Sequence, residues 1–409
     1  MLIANILNQT LYTFFNILYK TAPFWGPLLV GLIAWRAWVH YIRRLYIFNM
    51  KWSLLQVTIP REVSKSPQAM ELFINSLYQT AGTATFYHKY WLGNVRNWFS
   101  LELVSIEGKI YFFIRTPKFF KNLIESQVYA QYPQAEIFEA DDYTDALADE
   151  MKKTEWTMWG CEFILTKPDP YPIKTYVDYG LDRSVGLEEE QKIDPITPVL
   201  EYMGAIGPGE QIWLQVLVRA TLDEKKWMTE AKDEIQKVIK DALFKPEEGT
   251  PSSIHLSPGQ QEIVKSLERS ISKLGFDVGV RGIYLSKKEI FNPANIAGLT
   301  GTFRQYNSLN LNGFRPYNVT GFDYPWQDPT GKRANALKQE LFDAYRERSL
   351  FYMPHKYKFV AMKRLERKHF VLNSEELATI YHFPGRVAET PTFKRIEAKK
   401  SEPPVNLPV

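Results

Sequence analysis

The chain has 409 residues, of which 45% are hydrophobic and 14% aromatic; this is too long for one ordinary domain and too apolar for a disordered chain. A net charge of +4 is too small to imply nucleic acid by itself. The single cysteine, Cys161, excludes an internal disulfide framework and suits a body kept in a reducing compartment.

Leu2, Ile3, Ile6, Leu7, Leu11, Phe14, Phe15 and Leu18 recur at helical spacing, so residues 1–21 read as an amphipathic helix lying in a membrane interface. Pro23 and Pro27 mark a turn into the next segment. Residues 22–50 hold a transmembrane anchor. No charge occurs from Ala22 to Trp35, and the span proper, Ala22–Ile42, has the roughly 20 residues needed to cross a bilayer core. Its anchor residues are Phe24, Trp25, Leu28, Leu29, Val30, Leu32, Ile33, Trp35 and Trp38, of which Trp25, Trp35 and Trp38 suit the water–lipid boundary. Arg36 lies near one end, where a long side chain can snorkel. The start lacks early positive charge and no small-residue cleavage site follows the apolar run, which argues against a removed signal peptide. Arg36, Arg43, Arg44 and Lys51 flank the C-terminal end, against Lys20 alone on the other side. Positive charge marks the cytoplasmic side, so the body is expected in the cytoplasm, on a single-pass protein of the inner membrane.

The first body domain, 51–150, opens with a strand at Trp52–Ile59, ended by Pro60. Ser66-Pro67 starts a helix whose inner face is Ala69, Met70, Phe73, Ile74 and Leu77. Residues 83–97 form an aromatic loop. Strands at Trp98–Ile106 and Lys109–Arg115 join through a tight Glu107-Gly108 turn. A helix with Phe119, Phe120, Leu123, Ile124 and Val128 inward follows, and then a strand at Ala135–Ala140. The order strand, helix, strand, strand, helix, strand is the ferredoxin-like α+β pattern. Its expected core is Leu55, Val57, Phe73, Leu77, Leu101, Leu103, Leu123 and Ile137. The acidic stretch Asp141–Lys153 reads as a solvated helix or linker, with Asp141 and Asp142 in water.

The second α+β domain, 151–385, is expected to hold a mixed sheet. Cys161 lies in a strand at Trp156–Thr166 as a core thiol. Glu210–Thr221 is so continuously apolar that it must be buried on both faces. Helices are expected at 194–206, 223–244 and from Ser257-Pro258 to Gly275, followed by a strand at Asp277–Leu285. Residues 287–306 read as broken helix, 307–331 as a long ordered loop and 332–350 as a helix. A short strand at Phe370–Leu372 and a helix begun by Ser374-Glu375-Glu376-Leu377 close the domain. Residues 386–409 are a polar, proline-bearing tail.

None of the common catalytic arrangements is present in the sequence. Gly331-Lys332 lacks the upstream glycine of a phosphate loop. The six histidines have no metal-ligand spacing, and no Gly-x-Ser-x-Gly elbow occurs. The expectation is a protein that is not an enzyme, with no cofactor and no metal. The basic run His355–His369, with interleaved Tyr357, Phe359 and Met362, suits a partner or a nucleic acid. The expected docking residues are Lys356, Lys358, Lys363, Arg364, Arg367 and Lys368, with Lys394 and Arg395 in the tail.

Three stretches carry a resemblance: WFSLELVSIEGKIYFFIRTPKFFKNLIESQVYAQYP (98–133), GEQIWLQVLVRA (209–220) and FVLNSEELATIYHFP (370–384), continued by TPTFKRIEAKKSEPPVNLP. From about Lys51 onward the chain resembles the uncharacterised N-terminal region of membrane-anchored ATPases related to type IV secretion and conjugation motors, the TraG-like coupling proteins and HerA-type ATPases of small-genome bacteria. These motifs are aromatic and structural, so they carry over no catalytic residue. In such relatives the tail leads into an ATPase core, which is expected to be missing here. The resemblance implies an oligomeric scaffold or accessory subunit of a type IV secretion-like or pilus-like machine, partnered with a separate motor ATPase and other machine subunits. The alternative is a membrane-tethered nucleic-acid-binding module.

Overall fold

The computed structural model describes residues 2–60, 65–80, 85–152, 155–182, 193–241, 256–322, 324–352 and 367–384. The basic segment 353–366 and the tail from residue 385 lie outside the described residues. The chain divides into two units, residues 1–50 with 81–96, and residues 51–80 with 97–409.

The first unit is built on one helix, α1 (Leu2–Asn49), 48 residues long with Pro23 and Pro27 inside it. The turn expected at these prolines is absent. Each proline removes a single backbone donor, and the helix runs through both. At a rise of about 1.5 Å per residue it is roughly 72 Å long, more than twice a hydrocarbon core of about 30 Å.

The second unit is an α+β body on one sheet. Its strands are β1 (Trp52–Thr58), β2 (Phe99–Ile106), β3 (Lys109–Pro117), β4 (Glu136–Ala140), β5 (Trp156–Leu165), β6 (Glu210–Ala220), β7 (Gly275–Lys287), β8 (Phe314–Tyr317) and β9 (Phe370–Asn373). The order is β4-β1-β3-β2-β6-β7-β5-β8, with β9 on β7. Every pairing is antiparallel, so the mixed sheet expected for residues 151–385 is corrected to an antiparallel one. The sheet also passes without a break from one half of the body to the other, because β2 pairs with β6 from Phe99↔Val218 to Ile106↔Gln211. Both strands are buried almost throughout, and neither stands at an edge.

Helices α2 (Pro67–Ser76), α4 (Lys121–Gln131), α6 (Thr197–Gly204), α9 (Ala294–Gly301) and α11 (Ser374–Ile380) cover one face. Met70, Phe73, Ile124, Val128, Leu200, Met203, Leu299 and Leu377 meet Leu55, Leu101, Leu103, Phe163, Leu214 and Val280 in one apolar cluster. Helices α5 (Tyr143–Lys152) and α10 (Lys332–Arg346) cover the other face, where Leu147, Leu341 and Phe342 pack on Val104, Met158, Trp213 and Ile283. Helices α7 (Glu224–Asp241) and α8 (Pro258–Ile271) lie between β6 and β7 in sequence. A capping box of Ser257 and Gln260 starts α8. Between β2 and β3, Glu107 and Gly108 both have positive φ, 52° and 80°, as a two-residue hairpin turn requires. The remaining short helix, α3 (Phe86–Tyr90), belongs to the first unit.

Among the expected core residues, Leu55, Val57, Phe73, Leu77, Leu101 and Leu103 are buried, while Leu123 and Ile137 are half-buried. Helix α4 turns Ile124 and Val128 inward as expected, while Phe119, expected beside them, is exposed. The loop expected at 307–331 hides β8, paired to β5 through Phe163↔Pro316. Its proline is tolerated because β8 is an edge strand.

Leu217 is fully buried on β6. Leu217→Asp is expected to destabilise the body by several kcal/mol, since an unpaired charge has no partner there. Lys232→Asp, at an exposed position of α7, is expected to stay within about 0.5 kcal/mol. Melting curves of the two purified variants check this, and equal curves would refute the placement of Leu217.

Candidate functional site

All nine expected anchor residues, Phe24, Trp25, Leu28, Leu29, Val30, Leu32, Ile33, Trp35 and Trp38, are exposed large side chains on α1. Helix α1 is the one described helix long and apolar enough to cross a membrane, over Gln9–Asn49.

Against this helix lies the loop 85–96. Thr85 caps α3, and its hydroxyl accepts from the His88 amide. The Trp38 indole donates to the Tyr90 carbonyl at 3.1 Å. Trp35 packs against Phe86, Tyr90 and Trp91, with ring centroids 6.5, 5.6 and 6.0 Å apart. Gly93 has φ +69°, and a Cβ there would lie 2.4 Å from the Ile42 carbonyl oxygen. Only glycine allows the loop backbone to approach the helix this closely.

In the body, a polar row crosses the sheet beneath α5 and α10. Register places Glu102 beside Gln215, Gln215 beside Arg281, and Arg281 beside Glu162. Arg348, just past α10, closes the row. Its guanidinium donates to both Glu102 oxygens at 2.9 and 3.0 Å, to both Asp142 oxygens and to the Arg346 carbonyl, so all five of its donors are used. Arg281 donates to Glu162 at 2.9 Å, to Gln215 at 3.3 Å, and to the carbonyls of Ala344 and Ser349. Tyr143 donates to Glu102 at 2.7 Å and its hydroxyl meets that of Tyr345 at 2.9 Å. Asp142, expected in water, is thus an internal partner. Burial pushes the Glu102 carboxyl up, but the Arg348 charge and the hydrogen bonds from Arg348 and Ser100 outweigh it and hold Glu102 below the usual carboxylate range.

The backbone at Arg348 is also unusual. Its φ is +49°, and Arg348 and Ser349 donate their amides back to the Tyr345 and Ala344 carbonyls. That is the helix-ending arrangement in which glycine usually takes the left-handed position. An arginine there costs roughly 1–2 kcal/mol, which its hydrogen bonds to Glu102 and Asp142 offset.

On the opposite face, α11 is buried along its whole length, Glu375 and Glu376 included. Glu71 receives Lys273 at 2.7 Å, Tyr176 at 2.7 Å and Ser374 at 3.0 Å. Glu375 receives Thr175 at 2.6 Å and lies 3.4 Å from Arg269. Glu376 accepts the Ile173 and Asn373 amides at 2.9 and 2.8 Å. Burial pushes Glu376 up to about 8 against the pull of those two amides. The carboxyl of Asp169, which accepts the Val371 amide, is raised to about 6, again by burial. His382 bridges the Ala378 carbonyl and Asp194 at 2.8 and 2.9 Å.

These arrangements tie segments to the sheet; Glu102, Asp142, Glu162, Glu71 and Glu375 face cations, whereas Glu376 and Asp169 face backbone amides. Among the described residues no group of three or more His, Cys, Asp and Glu could hold a metal ion. Cys161 is buried, and burial pushes its thiol up. Of the expected docking residues, Lys356, Lys358, Lys363, Arg364, Lys394 and Arg395 lie outside the described residues. Arg367 is drawn into the body, donating to Ser349 and to the Glu340 carbonyl at 3.3 Å. Lys368 is exposed, with its ammonium 5.7 Å from the Tyr317 ring centre. Sequence reasoning missed the polar row; four polar residues on otherwise apolar strands were its only signal.

A family model described as a domain of unknown function, DUF8128, matches residues 49–395. The chain belongs to the DUF8128 family. The DUF8128 match starts where α1 ends, so the long apolar helix precedes the family domain. No curated protein matches the chain.

Glu102→Gln is expected to destabilise the body by about 3–5 kcal/mol, because it leaves Arg348 partly unpaired in the interior. The double variant Glu102→Gln/Arg348→Met should lose less than the sum of the two singles, as read by denaturant unfolding.

A pH effect follows from Glu376. Its folded pKa, about 8, lies above its ordinary 4.5, so the stability linked to its proton is complete below about 4.5 and is lost as pH rises toward 8. The melting temperature should therefore fall from pH 5 to pH 8, and Glu376→Gln should reduce that slope, leaving the smaller part due to Asp169, whose carboxyl is raised to about 6. Glu102 and Asp142 are shifted downward and matter only at more acid pH. An unchanged slope in the variant would remove Glu376 as its source.

Proposed function

We propose that this chain is a single-pass, membrane-anchored scaffold with its body in the cytoplasm, an accessory subunit of a type IV secretion-like or pilus-like machine that docks a separate motor ATPase. The observation that carries the anchoring is α1, an exposed apolar helix with Arg36, Arg43 and Arg44 toward its C-terminal end. Loops rich in Lys and Arg stay on the cytoplasmic side. The scaffold part is supported by the inward pairing of the body's buried acids and bases. The machine itself rests on the resemblance of residues 98–133, 209–220 and 370–384 to the uncharacterised N-terminal region of membrane-anchored ATPases related to type IV secretion and conjugation motors.

Within this reading each half of the body is a ferredoxin-like unit. The path strand, helix, strand, strand, helix, strand occurs as β1-α2-β2-β3-α4-β4 and again as β5-α6-β6-β7-α9-β8. Outer strand to centre, the sheet reads β4-β1-β3-β2 and β8-β5-β7-β6, the same order twice. The units meet at β2 and β6, leaving their helices on one shared face. A scaffold gains from this a broad, rigid body without a hinge between its halves.

The test is topology. Alkaline carbonate should leave the full-length chain in the membrane pellet, with an N-terminal epitope retained. Protease added outside intact spheroplasts should spare the body, and protease added to inverted vesicles should digest it. Loss of the epitope would make α1 a removed signal, and digestion from outside would reverse the orientation. With the topology established, deleting residues 390–409 should reduce co-purification of a motor ATPase while leaving the melting temperature unchanged.

A further inference from the structure

The loop 85–96 is more aromatic than a connection needs to be. Phe86, Tyr87 and Trp91 are 66%, 55% and 52% exposed, and Leu92 is exposed beside them. They continue a surface begun on α1 by Trp35, Trp38 and Tyr41, all exposed. Large aromatic side chains left open to water are unfavourable. Here the loop is held against the helix at two levels, by the rings and indole bond at Trp35–Trp38 and by the close approach of Gly93 to Ile42. Lys89 lies 5.2 Å from the Tyr90 ring centre. Charge identifies the occupant of this surface. Residues 1–50 and 85–96 contain Lys20, Arg36, Arg43, Arg44, Lys89 and Arg96 and no aspartate or glutamate. Trp and Tyr with interspersed cations are the chemistry of the boundary between acyl chains and anionic headgroups.

We propose that residues 85–94 form a membrane-interface element that seats in the headgroup layer of an anionic bilayer, so that the interface crosses α1 at Trp35–Trp38. This rests on the reading of α1 as a membrane span and adds its depth. Arg36 then lies among lipid phosphates, not inside the hydrocarbon, and Arg43 and Arg44 lie beyond the membrane surface. The span moves toward the N-terminus of Ala22–Ile42, with Tyr19 and Lys20 at its far boundary. Lys20 and Arg36 are sixteen residues apart, about 24 Å along a helix, and both reach outward by snorkelling.

The experiment uses the full chain in vesicles of phosphatidylcholine and phosphatidylglycerol. An environment-sensitive fluorophore is placed in separate variants at Tyr87→Cys, Leu92→Cys and Leu29→Cys, and the unsubstituted chain serves as control for buried Cys161. Lipids carry a quencher either near the headgroup or deep in the acyl chain. The expected result is quenching of the labels at 87 and 92 chiefly by the shallow quencher, and at 29 by the deep one. Gly93→Ala should reduce shallow quenching at 87 and leave 29 unchanged; no reduction would overturn the clasp that sets the depth. Labels at 87 and 92 open to aqueous iodide and untouched by either lipid would overturn the proposal while the span at 29 stands. Labels shielded from both lipid and iodide would mean that protein, a second copy or another partner, covers the surface, and would also overturn it. A label at 29 that neither lipid quenches would remove the span reading and the inference with it.

Discussion

The pairing of Arg348 with Glu102 is the constraint on which the body depends. The two residues are 246 positions apart in sequence, and both are fully enclosed. Two charges withdrawn from water gain little net stability from each other. What they add is uniqueness. Glu102 sits on β2, Gln215 on β6, Arg281 on β7 and Glu162 on β5, and each is bonded to the next or to the chain leaving α10. A slip of one residue in any of these strands would turn its polar side chain to the opposite, apolar face. Asp142 extends the same network to the start of α5 through Thr144 and Arg348, so one set of bonds positions both helices of that layer.

Local signals in the sequence were legible. Alternation gave β1 and β2, two glycine-bearing turn residues gave the β2–β3 hairpin, and Ser257-Pro258 gave the start of α8. The partners of polar residues were not. Asp142 read as solvated because a charged residue taken alone belongs in water, and Glu375 and Glu376 read only as the start of a helix. Their partners, Arg348, Arg269 and Lys273 for the first two and the Ile173 amide for the third, are brought near only by the sheet. β8 was hidden by its composition, since a four-residue edge strand containing Pro316 has too little alternation to stand out. The candidate site was legible where apolar length alone decides, along α1. It was not legible at Arg367, which looks like part of a basic surface and instead joins Glu340 and Ser349. The continuity of the two halves was equally invisible, because nothing local distinguishes two separate sheets from one shared by β2 and β6.

The two faces of the sheet are held by different physics. The face under α2, α4, α6 and α9 is mainly hydrocarbon, and substitutions there act through packing. At its margin α11 brings Glu375 and Glu376 inward, where burial and nearby amides oppose each other. The face under α5 and α10 mixes aromatic rings with charge, as where Tyr143 stacks on Phe113 and also donates to Glu102. Variants on the first face should be felt as gradual losses, and variants on the second as loss of a unique arrangement.

The long excursion between β6 and β7 bears on how the chain reaches this state. β2 and β3 are joined by two residues, whereas β6 and β7, though paired from Glu210↔Ser286 to Ala220↔Phe276, are separated by residues 221–274. In equilibrium terms such an insertion is mild, since each doubling of a flexible loop adds only about 0.6 kcal/mol. In time it is not, because distant strands must find each other before their contacts are formed. The first half can zip from its hairpin as soon as it leaves the ribosome. β6 pairs with β2 as well as with β7, so a partner strand for β6 has already been synthesised when β6 emerges, whereas β7 has not.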